Sequence, residues 1–312
     1  MIQLSNLSRR YGESLAVDDV SFTIERGEVI GLLGHNGAGK TTIMKMLTGF
    51  LEPTSGTIRI DDLQIGRDTP AIQRRIGYLP ENCPVWPEMA VIEFLEYQAA
   101  LHDVPRERRG RAIADAIRRT DLAGKATQSI QTLSRGYRQR VGVAQAILHQ
   151  PDIVILDEPT NGLDPTQILH MRALIGELAR TATVIVSTHI LQEVQAVCAR
   201  VIILRSGRKV IDARLDELQG EARLLVTTDR DESAARPVLA AVDGVRSVTL
   251  LDTAGGQFRY ALGAGPELAP AVGAALCGAG FALHELVRER RTLEAVFAEV
   301  NAASRPEVRH AA

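Results

Sequence analysis

A glycine-rich segment, GHNGAGKTT (34–42), connects the apolar run VIGLL to the helical pattern TIMKMLTG. It fits the pattern GxxxxGK[ST], in which glycines let backbone N–H groups curl around phosphate oxygens at the start of a helix. Lys40 can reach the β- and γ-phosphates, and the Thr41 hydroxyl can ligate Mg²⁺. The sequence therefore predicts a strand–loop–helix nucleotide site formed by Gly34, His35, Asn36, Gly37, Ala38, Gly39, Lys40, Thr41 and Thr42.

Two further apolar runs end in polar residues, in DIVILDEP (152–159) and TVIVSTH (183–189). Such runs are typical of buried central strands whose carboxyl ends meet a ligand. Asp157 is expected to hold Mg²⁺, directly or through water, and Glu158 to polarise the attacking water. A lone histidine at a strand end is usually structural, but beside a phosphate loop and an acid pair His189 becomes a candidate contact for the γ-phosphate.

Length and hydrophobic patterning predict two domains. The chain has 312 residues, whereas a typical domain has about 150. Alternating strand and helix patterns over residues 1–218, with a helical stretch at about 87–149, indicate an α/β domain with a helical subdomain. Residues 219–302 follow the order βαββαβ and close with the amphipathic segment RTLEAVFAEV, which predicts a small α+β, ferredoxin-like accessory domain. The tail, 303–312, is predicted to be disordered.

Composition is that of an ordinary globular protein and gives no support to nucleic acid as a partner. Hydrophobic residues make up 45% and charged residues 24%, and the formal net charge is -2. One basic run is interpreted as a solvated helical face because acidic residues surround it; it contains Arg106, Arg108, Arg109 and Arg111. The three cysteines are widely separated, which argues against a disulfide framework or a zinc site. The longest nearly charge-free stretch, 268–283, is too short to span a bilayer.

The polar loop LSRGYRQR (133–140) contains no carboxylate, histidine or metal ligand, so it does not match the chemistry of the phosphate loop. Together with GHNGAGKTT, ILDEP, NGLD and VSTH, in that order, it makes the chain resemble the ATP-binding subunits of ABC transporters over about residues 2–218. The resemblance implies a P-loop ABC-type fold, ATPase activity, and ATP and Mg²⁺ as ligands. In that family the loop caps the γ-phosphate bound to the other subunit, which implies that Ser134 and Gly136 contact that ATP.

The same resemblance implies roles for three more positions. Tyr11 stands where an aromatic side chain stacks on adenine, although a half-buried strand tyrosine is the alternative. Asp164 of NGLD corresponds to the loop that communicates across the dimer. Glu81 of GYLPE occupies the position where a glutamine usually senses Mg²⁺ and the attacking water. The polar loop 133–140 is the signature loop of the family, and Arg135 and Tyr137 replace the usual Gly and Gln of LSGGQ. Because of this departure and the negative charge of Glu81, slower or partner-dependent turnover is expected.

Within the family, the segments YLPENCPVWPEM and STHILQEVQAVCARVIIL resemble ABC-2-type exporter subunits, in particular those associated with gliding motility. This resemblance implies a motor that drives a separate integral-membrane permease. It also implies a second ABC subunit, most simply an identical one, and an auxiliary subunit is a further candidate partner. The protein is then expected at the cytoplasmic face of the inner membrane, held there by the permease.

Two other functions fit parts of the sequence. One is a soluble ABC-fold ATPase outside transport, but translation-type relatives carry two cassettes and repair-type relatives carry a long coiled coil that is not seen here. The other is a module that binds ATP without turnover, which the set Lys40, Asp157, Glu158 and His189 argues against. The accessory domain shows no active-site constellation, and a regulatory or dimer-stabilising role is expected for it.

Overall fold

The computed structural model describes residues 1–218, 223–289 and 293. The chain divides into two compact units, Met1–Arg214 and a second unit that begins at Leu215. This division lies slightly before the predicted boundary at residue 218. The predicted closing helix RTLEAVFAEV, apart from Leu293, and the predicted disordered tail lie outside the described residues. Within the described part of the chain, no helix is long and apolar enough to cross a membrane.

The first unit alternates strands and helices, as the sequence predicts. The strand VIGLL and the helix after the glycine-rich loop are both present, although the helix begins at Lys40 rather than Thr42. In chain order the elements are β1 (Ile2–Tyr11), β2 (Ser14–Ile24), β3 (Val29–Leu33), α1 (Lys40–Leu47), β4 (Ser55–Ile60), β5 (Leu63–Gln64), α2 (Thr69–Gln73), β6 (Ile76–Leu79), α3 (Val91–Leu101), α4 (Arg106–Arg119), α5 (Arg135–Ile147), β7 (Ile153–Asp157), α6 (Pro165–Leu178), β8 (Thr183–Thr188), α7 (Leu191–Val197), β9 (Arg200–Arg205) and β10 (Arg208–Arg214).

A six-stranded sheet of order β10-β9-β3-β8-β7-β6 forms the centre of this unit. All its neighbours run parallel except β9 and β10, which form the hairpin predicted at RSGR. Every residue of β7 and β8 is buried, because parallel strands are covered on both faces and therefore read as continuous apolar runs. The registers Leu33↔Thr188 and Asp157↔Ser187 bring the carboxyl ends of three strands to one edge of the sheet.

A second, antiparallel sheet has the order β2-β1-β4-β5. Leu7 and Val20 of this sheet share one core with Ile43 and Met44 of α1 and with Ile30 of the central sheet. The apolar face of α1 is therefore buried between the two sheets, which fixes the direction in which the helix leaves the glycine-rich loop.

The helical part of the first unit consists of α3, α4 and α5, within the predicted stretch 87–149. Phe94 of α3 is fully buried in a core with Ile113 of α4, Val141 of α5 and Val154 of β7. This core joins the helical layer to the central sheet, so the segments that begin and end these helices are held at defined positions.

From Arg223 onward, the second unit has the predicted βαββαβ order. Its elements are α8 (Leu215–Leu218), β11 (Arg223–Thr228), α9 (Glu232–Ala240), β12 (Val248–Ala254), β13 (Gln257–Leu262), α10 (Ala269–Gly278) and β14 (Leu283–Glu289). The antiparallel sheet order β12-β13-β11-β14 is that of a ferredoxin-like domain. Its core includes Tyr260, Leu224 and Val272. The hairpin predicted at TAGG is present, and Gly255 and Gly256 both have positive φ, 57° and 76°, as a two-residue type I′ turn requires.

Phe94→Ala tests whether the helical layer depends on its shared core. Removing a fully buried phenyl ring is expected to lower the free energy of unfolding of the first unit by about 3–5 kcal/mol. Tyr97→Ala on the same helix is the matched control, because Tyr97 is 43% exposed. Urea unfolding followed by circular dichroism measures both variants. Equal losses for Phe94→Ala and Tyr97→Ala would contradict this description of the core.

Candidate nucleotide site

The glycine-rich loop joins β3 to α1 and its backbone packs closely against neighbouring segments. Gly37 and Gly39 have φ of 82° and 104°, values that L side chains rarely adopt. A Cβ at Gly39 would lie 2.7 Å from the carbonyl oxygen of Ala16, and one at Gly34 would lie 2.7 Å from that of Leu204. The loop therefore needs glycine both for its conformation and for close approach of the backbone.

Lys40 is the first residue of α1, and its ammonium group points back along the loop. The residue is only 6% exposed, and Nζ donates a hydrogen bond of 2.6 Å to the carbonyl oxygen of Gly34. Nζ also lies 3.6 Å from Glu158 Oε1. A buried ammonium needs such partners, and its position beside the loop suits an anionic phosphate chain.

Asp157 ends β7 and is completely buried. The Ser187 hydroxyl donates a hydrogen bond to Asp157 Oδ1, and the Thr41 side chain lies close enough to the carboxylate to influence its pKa. Burial raises the pKa of Asp157, and the side chains of Ser187 and Thr41 oppose that rise. Asp157 Oδ2 has no hydrogen-bond partner among the described residues. An unsatisfied carboxylate oxygen beside a threonine hydroxyl is a donor set that fits Mg²⁺.

The carboxylate of Glu158 lies between the side chains of Lys40 and His189. Its Oε1 faces Lys40, and its Oε2 lies 2.9 Å from His189 Nδ1. Its backbone is left-handed, with φ of 50°, which is a strained conformation for a residue other than glycine. Its N–H donates to the carbonyl oxygen of Ser187 at 3.0 Å. The turn after β7 therefore aims the carboxylate of Glu158 at the loop instead of at solvent.

The side chains of Lys40, Glu158 and His189 line one cleft of about 400 Å³ at the carboxyl edge of the central sheet, and Asp157 is buried without being part of its lining. The structure places most of the predicted site residues there. The cleft also includes two residues that sequence reasoning missed, Ala16 and Asn161. Its predicted lining residues are His35, Asn36, Gly37, Ala38, Gly39, Lys40, Thr41, Thr42, Glu81, Glu158 and His189. Gly34 joins the cleft through its carbonyl oxygen, which accepts from Lys40.

Besides the buried Asp157, four predicted ligand residues do not line this cleft: Tyr11, Ser134, Gly136 and Asp164. Tyr11 ends β1 with 46% of its surface exposed, and the guanidinium carbon of Arg9 lies 4.8 Å from its ring centroid. Ser134 caps α5, where its Oγ accepts a hydrogen bond from the Tyr137 N–H. Asp164 caps α6 in the same way, at 2.9 Å from the Gln167 N–H.

The signature loop and the NGLD loop pack against each other within this chain. A Cβ at Gly136 would collide with the Gln167 side chain, and one at Gly162 would lie 2.6 Å from Cζ of Arg135. Arg135, which departs from the family pattern, therefore lies directly over Gly162. The two loops cannot change their positions independently while this packing persists.

Sequence reasoning also missed a buried network behind the cleft. Glu193 of α7 is 4% exposed and accepts hydrogen bonds from Thr160 and, at 3.1 Å, from Thr188. It thereby connects the turn after β7 to the end of β8. The sequence signal for Glu193 is weak, because an acidic residue in a short helix is usually solvated.

The fold and this cleft define a P-loop nucleotide-binding cassette. The family model described as "ABC transporter" matches residues 17–161. The chain is 38% identical over 229 residues to the ABC transporter ATP-binding protein NatA of Bacillus subtilis strain 168, covering 72% of this chain and 93% of NatA. The chain therefore belongs to the ABC transporter family, and it is an ATP-binding subunit with ATPase activity.

Two further relatives and one solved structure extend the comparison. The uncharacterized ABC transporter ATP-binding protein YhcH of Bacillus subtilis strain 168 is 34% identical, and the match covers 100% of this chain and 99% of YhcH. Nod factor export ATP-binding protein I of Burkholderia orbicola strain AU 1054 is 34% identical, covering 68% of this chain and 70% of that protein. The dimeric structure of MJ0796, a bacterial ABC transporter cassette, matches with a TM-score of 0.64 and 26% identity, covering 69% of this chain and 99% of that one.

Gly39→Ala tests the close approach of the loop backbone. The added Cβ is expected to weaken ADP binding by about tenfold or more, because the loop must shift away from Ala16 and its N–H groups lose their aim at phosphate. Gly66→Ala is the matched control, since Gly66 also has positive φ, 94°, but no atom lies within 4 Å of the added Cβ. Isothermal titration calorimetry compares the two variants. Equal ADP affinities would show that the packing against Ala16 does not matter for binding.

Proposed function

We propose that this protein is the ATP-hydrolysing motor of an ABC-2-type exporter, in which two copies close on two ATP molecules and drive a separate transmembrane permease. The observation that carries the proposal is the convergence of Lys40, Glu158 and His189 on one cleft beside the glycine-rich loop, with the buried carboxylate of Asp157 adjacent to Glu158. A site that only binds nucleotide has no need of the buried carboxylate of Glu158 at this position.

Glu158 is the proposed general base. Its carboxylate lies at the cleft and is oriented from two sides, by Lys40 and by His189. In the proposed reaction it polarises the water that attacks the γ-phosphate of ATP. The half-exposed imidazole of His189 is placed to hold Glu158 in orientation and to contact the γ-phosphate.

The Thr41 hydroxyl and Asp157 are the proposed ligands of Mg²⁺, and Glu81 lies within the same cleft. Bound Mg²⁺ supplies positive charge that stabilises the phosphate oxygens of ATP during hydrolysis. Asp157 must be ionised to act as a ligand, although burial raises its pKa. Glu81 adds a second carboxylate to the lining of the cleft, besides Glu158, which favours cation binding but opposes the approach of polyphosphate.

A second copy is proposed because the cleft lacks some of the expected ATP contacts. Ser134 and Gly136 lie at the amino end of α5, outside the cleft of their own chain. The end of a helix with free N–H groups suits an anion, so these residues are proposed to cap ATP bound to the partner copy. Asp164 and the Arg135 contact would then lie near the interface. The similar MJ0796 cassette is dimeric, which supports this arrangement.

A permease partner is proposed from exposed apolar side chains after Glu81. Trp86 and Tyr97 pack edge to face, with ring centroids 6.1 Å apart, and Trp86 is 56% exposed. Leu101 on the same helix as Tyr97 is also exposed. Such a cluster marks a protein-binding surface. The relative named for Nod factor export supports the exporter assignment. The proposed location is the cytoplasmic face of the inner membrane.

The second unit is proposed to be regulatory, to stabilise the dimer or to contact an auxiliary subunit. The YhcH match extends over the whole chain and so includes this unit. The association with gliding motility stays a prediction from the sequence.

Glu158→Gln tests the assigned base. Steady-state ATP turnover is expected to fall by at least about 100-fold, because an amide cannot accept the proton of the attacking water. ATP binding is expected to persist, and light scattering with Mg²⁺ and ATP should show a dimer. Lys40→Ala is the control, because this variant is expected to lose ATP binding. Turnover close to that of the parent protein would remove Glu158 from the catalytic role.

The same Glu158→Gln variant, tagged and purified with ATP from gently solubilised native cells, identifies the partner. A polytopic membrane protein recovered in near-equal amount is expected. The double variant Glu158→Gln/Trp86→Ala is expected to recover less of this membrane protein. The control Glu158→Gln/Leu251→Ala, which changes an exposed residue of the second unit, is expected to recover the same amount as Glu158→Gln. Recovery of soluble partners or ribosomes alone would replace the transport motor with a soluble ABC-fold ATPase.

Glu81→Gln tests the effect of the extra carboxylate. Removing this charge at constant shape is expected to raise ATP turnover by up to about tenfold, equivalent to about 1.4 kcal/mol of the barrier, because the γ-phosphate and Glu158 face less repulsion. Glu52→Gln, an exposed change outside the cleft, controls for net charge. Coupled-enzyme ATPase assays across a Mg²⁺ titration measure both variants. A lower turnover in Glu81→Gln would show that Glu81 assists hydrolysis.

A further inference from the structure

A second cavity lies at the opposite edge of the central sheet from the nucleotide cleft. Its volume is about 1010 Å³, within the upper range of pockets that hold small molecules. It is lined by Arg74 and Gln150, which precede β6 and β7, and by residues of α4 from Arg108 to Arg118. All of its lining residues belong to the first unit. The proposed ATPase cycle assigns no role to it.

The cavity carries an excess of positive charge. Four arginines and two aspartates line it, so two positive charges remain after the acidic residues are counted. Arg74 lies 3.7 Å from Asp103, and Arg118 lies 2.6 Å from Asp115. Both ion pairs are well exposed and therefore weak. The arrangement attracts anions into a concave surface.

The other two arginines that line the cavity, Arg108 and Arg111, do not take part in these ion pairs. They are separated by three positions on α4, so they lie on one face of the helix, and both are exposed. Within the described residues, no carboxylate lies at ion-pair distance from either guanidinium. A planar guanidinium group presents paired N–H donors, which match the oxygens of a phosphoryl group better than an ammonium would.

Two stacked histidines form another part of the wall. The rings of His102 and His149 are parallel within 6°, with centroids 3.9 Å apart, and His149 Nε2 lies 3.2 Å from the carbonyl oxygen of Ile76. Burial lowers the pKa of both histidines, that of His149 to about 4. The imidazoles are therefore uncharged near neutral pH, and the arginines alone supply the positive charge.

We propose that this cavity is a binding site for a phosphoryl anion, which the guanidinium groups of Arg108 and Arg111 hold. The cavity is large enough for a multiply phosphorylated small molecule or for the headgroup of an anionic phospholipid, and both present the same phosphoryl chemistry. The basic run that reads as a solvated helical face in the sequence thus contains two ligand-binding residues. This assignment is independent of the proposed transport function, because it shares no residue with the nucleotide cleft.

Inorganic pyrophosphate is the first probe, titrated calorimetrically into the full-length protein. Since the glycine-rich loop also binds phosphates, the titration uses the Lys40→Ala background, which isolates the cavity. Arg111→Ala is expected to weaken binding by about tenfold, and Arg108→Ala/Arg111→Ala by about 100-fold, because each removes charge-assisted hydrogen bonds. Arg106→Ala is the matched control: it removes the same charge from the same helix, but Arg106 does not line this cavity.

If Lys40→Ala does not fold, as judged by circular dichroism, the wild-type stoichiometry serves instead. Arg108→Ala/Arg111→Ala should then reduce it from about two pyrophosphate ions per chain to about one, with ADP affinity unchanged. Flotation with vesicles of phosphatidylglycerol and phosphatidylcholine, against phosphatidylcholine alone, tests the lipid source. Vesicle binding that requires Arg111 but not Arg106 supports a headgroup ligand. Equal effects of Arg106→Ala and Arg111→Ala, or binding of neither probe, would overturn the proposal.

Discussion

The parallel register of β3, β7 and β8 is the constraint on which the rest of the site depends. Pairing of Leu33 with Thr188 and of Asp157 with Ser187 ends three strands at one edge, so their following residues meet there without any long loop. The strands must be apolar to be buried on both faces. The charged groups therefore lie at the carboxyl ends of the strands, where Asp157 and Glu158 meet Lys40 at the start of α1.

The same edge keeps some of its polar groups incompletely satisfied. Asp157 has one oxygen without a hydrogen-bond partner among the described residues, and Glu158 has a left-handed backbone. Both features cost stability in the protein alone. A ligand that supplies positive charge beside Asp157 and an anion beside Lys40 offsets this cost, so binding and stability are linked. The arrangement of the site therefore favours the ligand-bound protein and lowers the stability of the ligand-free protein.

The sequence predicts the parts of this structure that depend on local pattern. The apolar runs of β7 and β8, the glycine-rich loop and the ferredoxin-like order of the second unit are confirmed. The sequence does not reveal Glu193, because its importance comes in part from Thr160, which is 33 residues away along the chain. The contact of Arg135 with Gly162 is hidden for the same reason. Sequence patterns give residue types at strand ends, whereas side-chain pairing between loops requires the tertiary arrangement.

The strand β6 connects the two edges of the central sheet. It begins after Arg74, which lines the arginine-rich cavity, and it ends just before Glu81, which lines the nucleotide cleft. Nε2 of His149 also lies within hydrogen-bond distance of the carbonyl oxygen of Ile76, at the start of this strand. A ligand in the cavity affects ATP binding only if it favours one of two arrangements of β6 and its flanking loops. Any such coupling is reciprocal, so ATP must change the affinity for the phosphoryl anion by the same factor.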